Sequence, residues 1–125
     1  VLNAQGVELL RIDMTGYDIH IDGALTMIDV NVAIVDPDLL PYSFLRKLDE
    51  MGITTVEIDA QDDPWIVNCL AVSPGRVIMP RGISSVTEAR LQQLNIEVIE
   101  IDYDKLQLNG GGIHCSTCPL IRDSV

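Results

Sequence analysis

The hydrophobic pattern of the chain repeats along its length. Residues 53–59 (ITTVEID) reappear 43 positions later as residues 96–102 (IEVIEID). Apolar and β-branched residues predominate in both copies, which is typical of a partly buried strand. A third segment of this kind, residues 7–13 (VELLRID), stands 46 positions before the first. A period of this length predicts a chain built from repeated supersecondary units.

Each repeat opens with two apolar runs that predict a β-hairpin. Residues 25–35 contain the first pair of runs and residues 65–79 contain the second. The tripeptide Ser-Pro-Gly at 73–75 divides the second pair and is a turn signal at hairpin spacing. The shift of 43 positions also carries Ile34 onto Val77. We therefore expect two equivalent hairpins.

A helix follows each predicted hairpin. Residues 42–51 have apolar side chains at helical spacing, and residues 85–94 have them less regularly. Ser84 is placed to cap the second helix at its start. Gly52 and Asn95 stand where a left-handed residue often ends a helix. Because each of them is followed by the repeated strand, the predicted unit is β-β-α-β.

The predicted units give an α/β fold class with two complete modules and partial ends. The modules span approximately residues 17–59 and 60–102, and residues 103–125 form a further segment. Right-handed crossovers would give mixed sheets with helices on one side. A unit of this size cannot cover both of its faces alone. We therefore expect the chain to be part of a larger radial array or to oligomerise.

Composition limits the partners of the chain. Its 125 residues are 47% hydrophobic, which is enough for one core. The net charge of -11 argues against binding nucleic acid or an anionic membrane, and no apolar run is long enough to span a bilayer. Three cysteines are too few for a disulfide framework and favour a cytoplasmic location. The start, which has no initiator Met and no signal sequence, is interpreted as that of a fragment or processed chain.

A glycine-rich loop near the end of the sequence contains the first candidate site. Gly110, Gly111 and Gly112 come shortly before Cys115. Glycine permits positive φ and a close approach of the backbone to a ligand. A thiol placed after such a loop can meet substrate while backbone N–H groups face developing negative charge. Cys115 is therefore the candidate nucleophile, and the alternative is that the loop is only a flexible connector.

The same loop also has the spacing of half a zinc site. Cys115 and Cys118 form a Cys-x-x-Cys pair directly after His114. The other plausible soft ligands, His20 and Cys69, lie in predicted strands and lack the paired spacing of a zinc ribbon. We therefore expect no metal site, and we interpret Cys69 as a core residue and Cys118 as a buried or bystander thiol.

A second candidate site lies at residues 17–23 (YDIHIDG). Alternating polar and apolar residues predict a strand with Asp18, His20 and Asp22 on one face. An imidazole beside two carboxylates suits cation binding and proton transfer. The alternative is an ordinary strand that faces solvent. Because His20 and Cys115 each follow a copy of the same strand, a radial array would bring them together at its axis.

These segments resemble the guanidino-group-modifying enzymes. That superfamily includes arginine deiminases, dimethylarginine dimethylaminohydrolases, agmatine deiminases and amidinotransferases. Residues 20–29 are similar to its His-x-Asp strand and hairpin, and residues 110–120 are similar to its terminal glycine-rich loop with the cysteine nucleophile. Residues 68–78 look like the hairpin that lies between them. The order and approximate spacing agree over nearly the whole chain.

The resemblance implies a fold and a set of site residues. The fold would be the pentein fold, an α/β propeller of five β-β-α-β units, with residues 1–125 as the C-terminal portion of the catalytic domain. Cys115 would be the nucleophile, His20 the general acid/base and Asp22 a carboxylate that grips the guanidinium. The residues that would bind substrate are Asp22, Gly110, Gly111 and Gly112.

The resemblance also implies an activity. An amidinohydrolase or amidinotransferase would act on a small arginine-like substrate through a covalent thiouronium on cysteine, with no metal or organic cofactor. Enzymes of the superfamily take further carboxylates from N-terminal modules, and those modules have no counterpart in this sequence. The expected partner is therefore the missing N-terminal half or a second copy of the chain. The alternative function is a catalytically incomplete pentein module that binds a partner chain or protein.

Overall fold

Residues 2–14 and 20–121 are described by a computed structural model of the chain. They form two three-stranded sheets with the strand orders β1-β2-β3 and β4-β5-β6. The strands are β1 (Leu25–Asp29), β2 (Val32–Val35), β3 (Thr54–Glu57), β4 (Leu70–Ser73), β5 (Arg76–Pro80) and β6 (Glu97–Ile101). The helices are α1 (Tyr42–Glu50), α2 (Ser85–Gln93) and α3 (Asp104–Gln107).

The two sheets have the same topology. In each, the first two strands pair antiparallel as a hairpin, and the second strand pairs parallel with the third. The parallel pair is joined by a helix, α1 in one unit and α2 in the other. The predicted order β-β-α-β is therefore observed twice, and the α/β architecture is consistent with a pentein-like fold.

The hairpins of the two units correspond at a shift of 44 positions. Met27 pairs with Ala33 in the first hairpin, and Ala71 pairs with Val77 in the second. Val77 is therefore equivalent to Ala33, and the predicted match of Ile34 with Val77 is wrong by one residue. The error arises because neighbouring residues of these strands are all apolar, so sequence similarity alone does not fix the register.

The helix ends agree with the sequence prediction. The Ser84 side chain accepts a hydrogen bond from the backbone N–H of Thr87. Gly52 and Asn95 have φ of 74° and 57°, the left-handed conformation expected after a helix. The N-cap residues of α1 and α2, Pro41 and Ser84, are 43 positions apart. Because the hairpins correspond at a shift of 44, the second unit has one residue fewer between equivalent hairpin residues and its helix.

One hydrophobic core joins the two units. Ile28 and Ile34 come from the first hairpin, and Val77 and Met79 come from the second; all four are fully buried. Cys69 is also fully buried there, as the sequence predicted. Burying an aliphatic side chain of this size contributes roughly 1.5–3 kcal/mol. The shared core therefore holds the two hairpins at a fixed position relative to each other.

Two predicted strands are wrong. Residues 7–13 are not a strand: no neighbouring strand pairs with them within the described residues, and Val7 and Leu9 are exposed. A strand needs a paired neighbour as well as a suitable pattern. Of the strand predicted at 17–23, residues 17–19 lie outside the described residues. His20 has extended backbone angles, and Ile21–Gly23 form a 3-10 turn instead of a strand.

An open groove lies where the two hairpins meet at the surface. It has a volume of about 500 Å³ and is lined by Met27, Val30, Val72, Pro119 and Ile121 among others. Val30 and Val72 are about half exposed. Across the part of the chain described here, no helix has the length and apolar character needed to cross a membrane.

Candidate active site

Cys115 is exposed and lies in the short 3-10 turn His114–Ser116, directly after the glycine-rich loop. The side-chain amide of Asn68 contacts it at two points. The Nδ2 group of Asn68 donates to the Sγ atom of Cys115 at 3.2 Å. The Oδ1 atom of Asn68 accepts from the backbone N–H of Cys115 at 3.1 Å. A single buried amide therefore holds both the backbone and the sulfur of the candidate nucleophile.

Asp22 approaches the same sulfur from the first unit. Its Oδ2 atom lies 3.5 Å from Sγ of Cys115 and 2.8 Å from Nδ1 of His114. The backbone carbonyl of Asp22 accepts from Nδ2 of Asn68 at 3.0 Å. The structure thus brings together Cys115 and Asp22, which the sequence predicted as site residues, and adds Asn68 and His114 to them.

The surroundings of Asp22 keep it ionised. Partial burial raises the pKa of this carboxyl, but hydrogen bonds with His114 and Cys115, the charge of a protonated His114 and the nearby Asn68 amide together outweigh burial. The pKa of Asp22 is therefore lower than its ordinary value. Its other oxygen, Oδ1, has no hydrogen-bond partner among the described residues. A carboxylate with a free oxygen beside a thiol can bind a planar cation next to a nucleophile.

Glycine is needed at two positions of the loop for different structural reasons. Gly110 has φ of 80°, in the left-handed region that favours glycine. At Gly112 a Cβ atom would come within 2.4–2.6 Å of the Asn68 side chain. A Cβ at Gly111 would meet the Cβ of Cys115 at 3.4 Å. Glycine at position 112 therefore lets the loop reach Asn68.

A buried tyrosine supports the loop from beneath. The hydroxyl of Tyr103, just after β6, donates to the backbone carbonyl of Gly112 at 3.2 Å. It also contacts the hydroxyl of Ser116, which donates to the same carbonyl at 3.1 Å. These bonds connect both ends of the segment that contains Cys115 to the last strand.

His20 is not joined to this cluster. It is exposed, has extended backbone angles and precedes the turn that carries Asp22. Its side chain makes no hydrogen bond within the described part of the chain. The predicted meeting of His20 with Cys115 is therefore not seen as a contact. Catalytic hydrogen bonds often form only with substrate bound, so this geometry leaves the predicted role of His20 untested.

Sequence reasoning missed Asn68, His114 and Tyr103 as parts of the site. The signal for Asn68 was present, since it interrupts the apolar run at 65–72. A fully buried amide must find partners, and such a residue therefore points to a specific contact. For Tyr103 the sequence offers no comparable signal.

The other two thiols have different environments. Cys118 is exposed and free. Cys69 is buried, and burial raises the pKa of its thiol to about 12. Over residues 2–14 and 20–121, no group of three or more His, Cys, Asp or Glu side chains is arranged to hold a metal ion.

The sequence matches the family model for arginine deiminase over residues 47–122. It is similar to the arginine deiminase of Rhodococcus erythropolis, with 28% identity over 96% of this chain and 37% of that protein. It is also similar to the arginine deiminase of Mycobacterium avium, with 41% identity over 58% of this chain and 20% of that protein. The chain thus spans about a third or less of the length of these curated relatives.

Solved structures share the fold. An amidinotransferase of the saxitoxin biosynthetic pathway from Microseira wollei superposes with a TM-score of 0.71 and 18% identity, over 91% of this chain and 36% of that one. A DDAH mutant from Pseudomonas aeruginosa, complexed with citrulline, superposes with a TM-score of 0.62 and 24% identity, over 81% and 36%. Together with the matched segment at 47–122, these similarities show that the chain belongs to the arginine deiminase family, within the guanidino-group-modifying superfamily.

Proposed function

We propose that this chain provides the nucleophile and part of the substrate site of an enzyme that modifies the guanidino group of an arginine-like substrate. The observation that carries the proposal is the contact between Sγ of Cys115 and the carboxylate of Asp22. The carboxylate can hold the guanidinium while the thiolate attacks its central carbon. The net charge of -11 also favours the approach of a cation.

Substrate binding would use the Oδ1 atom of Asp22, which makes no hydrogen bond with the described residues. Two N–H groups of a guanidinium match a carboxylate, which fixes the plane of the cation. The bound cation also favours the thiolate form of Cys115, because opposite charges attract at short range. Backbone N–H groups near Gly110, Gly111 and Gly112 would line the other side of the substrate. Further carboxylates would come from parts of the fold that this chain does not span.

In the first chemical step, the thiolate of Cys115 forms a C–S bond with the guanidinium carbon. The C–N bond to the leaving amine then breaks, and His20 gives that nitrogen a proton. The product is a covalent thiouronium and a free amine. A delocalised guanidinium is a poor electrophile, so a soft and strong nucleophile suits this step.

In the second step, an acceptor attacks the thiouronium carbon and expels the thiolate. His20 takes a proton from the acceptor as the new bond forms. Water as acceptor gives an amidinohydrolase, and an amine as acceptor gives an amidinotransferase. Membership of the arginine deiminase family favours water. His114 would hold Asp22 in place through its Nδ1 atom during both steps.

The proposal is tested with chloroacetamidine, an amidinium that carries a thiol-reactive chloromethyl group. Chloroacetamide is the neutral control with the same reactive group. We expect the amidinium to label Cys115 faster than Cys118, and we expect the neutral reagent to show a smaller preference for Cys115. Peptide mass spectrometry locates the adduct. Labelling of Cys118 with Cys115 untouched would contradict the proposal.

Turnover provides a second test. Cys115→Ser should lower turnover by on the order of 10⁴-fold or more, because an alcohol replaces the attacking thiolate. The matched control is Cys118→Ser, which removes an exposed thiol three residues away and should leave turnover in place. Turnover is measured in a polypeptide that contains this chain and is active with arginine.

A second candidate function is assembly with the rest of an arginine deiminase fold. The observation that favours it is the open groove between the hairpins, with Val30 and Val72 half exposed. Because the chain spans only 37% of its Rhodococcus relative, the expected occupant is a segment that supplies further parts of the fold, in the same or another polypeptide. Val72→Asp should then lower turnover without changing the alkylation rate of Cys115 by chloroacetamide. Unchanged turnover would contradict this assembly.

A further inference from the structure

Asn68 lies just before the second hairpin, at a position that alanine occupies in the first unit. We call this position the corner of each unit. At the hairpin shift of 44 positions, Asn68 is equivalent to Ala24, and both residues are fully buried. Their backbone bonds match as well: the N–H of Ala24 donates to the carbonyl of Ile21, and that of Asn68 donates to the carbonyl of Trp65. The same backbone therefore accommodates a methyl group in one unit and an amide in the other.

The backbone carbonyl at this corner has different partners in the two units. The carbonyl of Ala24 accepts from the N–H of Asp36 at 3.0 Å. At the same shift Asp36 corresponds to Pro80, which has no N–H to donate. The carbonyl of Asn68 instead accepts from the N–H of His114 at 3.2 Å. Proline at position 80 thus leaves this acceptor available to the loop that contains the nucleophile.

The side chain of Asn68 makes three further bonds at the site. Its Oδ1 atom accepts from the backbone of Cys115, and its Nδ2 group donates to Sγ of Cys115 and to the carbonyl of Asp22. The amide is fully buried, and glycine at position 112 leaves just enough room for it. Its orientation is therefore fixed by bonds at both ends.

We propose that Asn68 is a positioning residue that fixes the sulfur of Cys115 against Asp22 and stabilises its thiolate. An N–H donor stabilises an anionic sulfur more than it stabilises a neutral thiol. The proposal rests on the proposed role of Cys115 as nucleophile. The alanine at the equivalent corner of the first unit indicates that the fold itself does not need an amide there.

The experiment measures the rate of Cys115 alkylation by chloroacetamide as a function of pH, in a Cys118→Ser background. In Asn68→Ala, we expect the pH of half-maximal rate to rise by about one unit, so that the rate at neutral pH falls about tenfold. Asn68→Asp retains an acceptor for the N–H of Cys115, and its carboxylate has no hydrogen to donate to the sulfur. We expect its profile to shift in the same direction. Unchanged profiles in both variants would overturn the proposal.

Cys69 reports whether these variants keep their fold. It is buried, so it should stay unmodified while the chain is folded. Modification of Cys69 in both variants under native conditions would mean that the role of the Asn68 amide is to stabilise the fold and not the thiolate. This result would also overturn the proposal. The alkylation profile does not depend on turnover. A shifted profile combined with full turnover of Cys115→Ser would refute the proposed function while leaving the contact between Asn68 and the thiol intact.

Discussion

The two β-β-α-β units have the same topology but different chemistry at one equivalent corner. In the first unit, Ala24 occupies the corner, and the backbone N–H of Asp36 donates to the carbonyl of Ala24. In the second, Asn68 fills it, and the loop with Cys115 bonds to both its carbonyl and its amide. The equivalent backbone positions therefore hold a methyl group in one unit and, in the other, an amide that binds a loop.

The units also contribute different parts of the site. The 3-10 turn before the corner of the first unit contributes Asp22. His20, whose side chain makes no hydrogen bond within the described residues, directly precedes that turn. The second unit contributes Asn68, and the segment after β6 contributes Cys115 and His114. The site therefore lies where the two units meet, and substitutions on either side should affect it in different ways.

Among substitutions that contrast the two units, the largest effect should come from His20 of the first unit. His20→Ala should lower turnover by about 10²–10⁴-fold, since proton transfer to the leaving amine is lost. The rate of Cys115 alkylation by chloroacetamide should stay unchanged, because His20 has no bond to the sulfur. His114→Gln is the matched control, with a smaller expected loss of turnover. Full turnover of His20→Ala with an inactive His114→Gln would transfer the proton role to His114.

The approach of the loop to the second corner can be tested with neighbouring glycines. Gly112→Ala should lower the free energy of unfolding by about 1–3 kcal/mol, because its Cβ would overlap Asn68. Gly111→Ala places a Cβ at 3.4 Å from its nearest neighbour and should cost less than about 1 kcal/mol. Urea denaturation of both variants measures the difference. Equal costs would show that the loop does not pack on Asn68 as described.

Asparagine can be introduced at the corner of the first unit to test whether the amide has partners there. Ala24→Asn would bury an amide where none of the described loops supplies partners, and we expect a loss of about 1–2 kcal/mol in the free energy of unfolding. Ala71→Asn, at a half-buried position of β4, should cost less. If Ala24→Asn left the free energy of unfolding unchanged, the first corner would also provide hydrogen-bond partners for an amide. The contrast between the units would then disappear.

The smallest expected effect is on acid stability. The pKa of Asp22 is lower in the folded chain than in the unfolded chain. Its carboxylate therefore stabilises the fold at a pH above the ordinary carboxyl pKa, and this stabilisation is lost as the pH falls through the lowered pKa. We expect a contribution below about 1 kcal/mol. Urea denaturation between about pH 5 and pH 2 should therefore show a weaker pH dependence for Asp22→Asn than for the native chain. If the free energy of unfolding depended on pH equally in Asp22→Asn and in the native chain, the hydrogen bonds assigned to Asp22 would be contradicted.

Local signals predicted most of the fold. The periodicity of residues 42–51 and 85–94 and the turn residues Gly52 and Asn95 depend on neighbours in sequence, and the structure confirms the elements that they predict. The segment at 7–13 has the pattern of a strand, but pairing depends on a neighbour that its sequence does not specify.

The site was predicted less completely because its contacts are distant in sequence. Asn68 bonds to Asp22 and Cys115 across 46 and 47 positions, and only its burial in an apolar run hinted at them. Cys115 was found from its place after the glycine-rich loop and Asp22 from the alternating pattern at 17–23, and the family resemblance then assigned their roles. The turn at Ile21–Gly23 was missed because alternating residues also occur in irregular segments.

The covalent thiouronium on Cys115 is tested most directly by quenching the reaction with arginine in acid and mapping the trapped species by peptide mass spectrometry. The reaction is stopped at several times within one turnover of a native, active polypeptide that contains this chain, because loss of His20 would also slow the formation of the adduct. We predict a thiouronium adduct on Cys115, with the mass of arginine less its leaving amine, that is absent from Cys118 and from Cys115→Ser. Turnover by the native protein with no adduct on Cys115 at any quench time, or an adduct on another residue, would contradict the account.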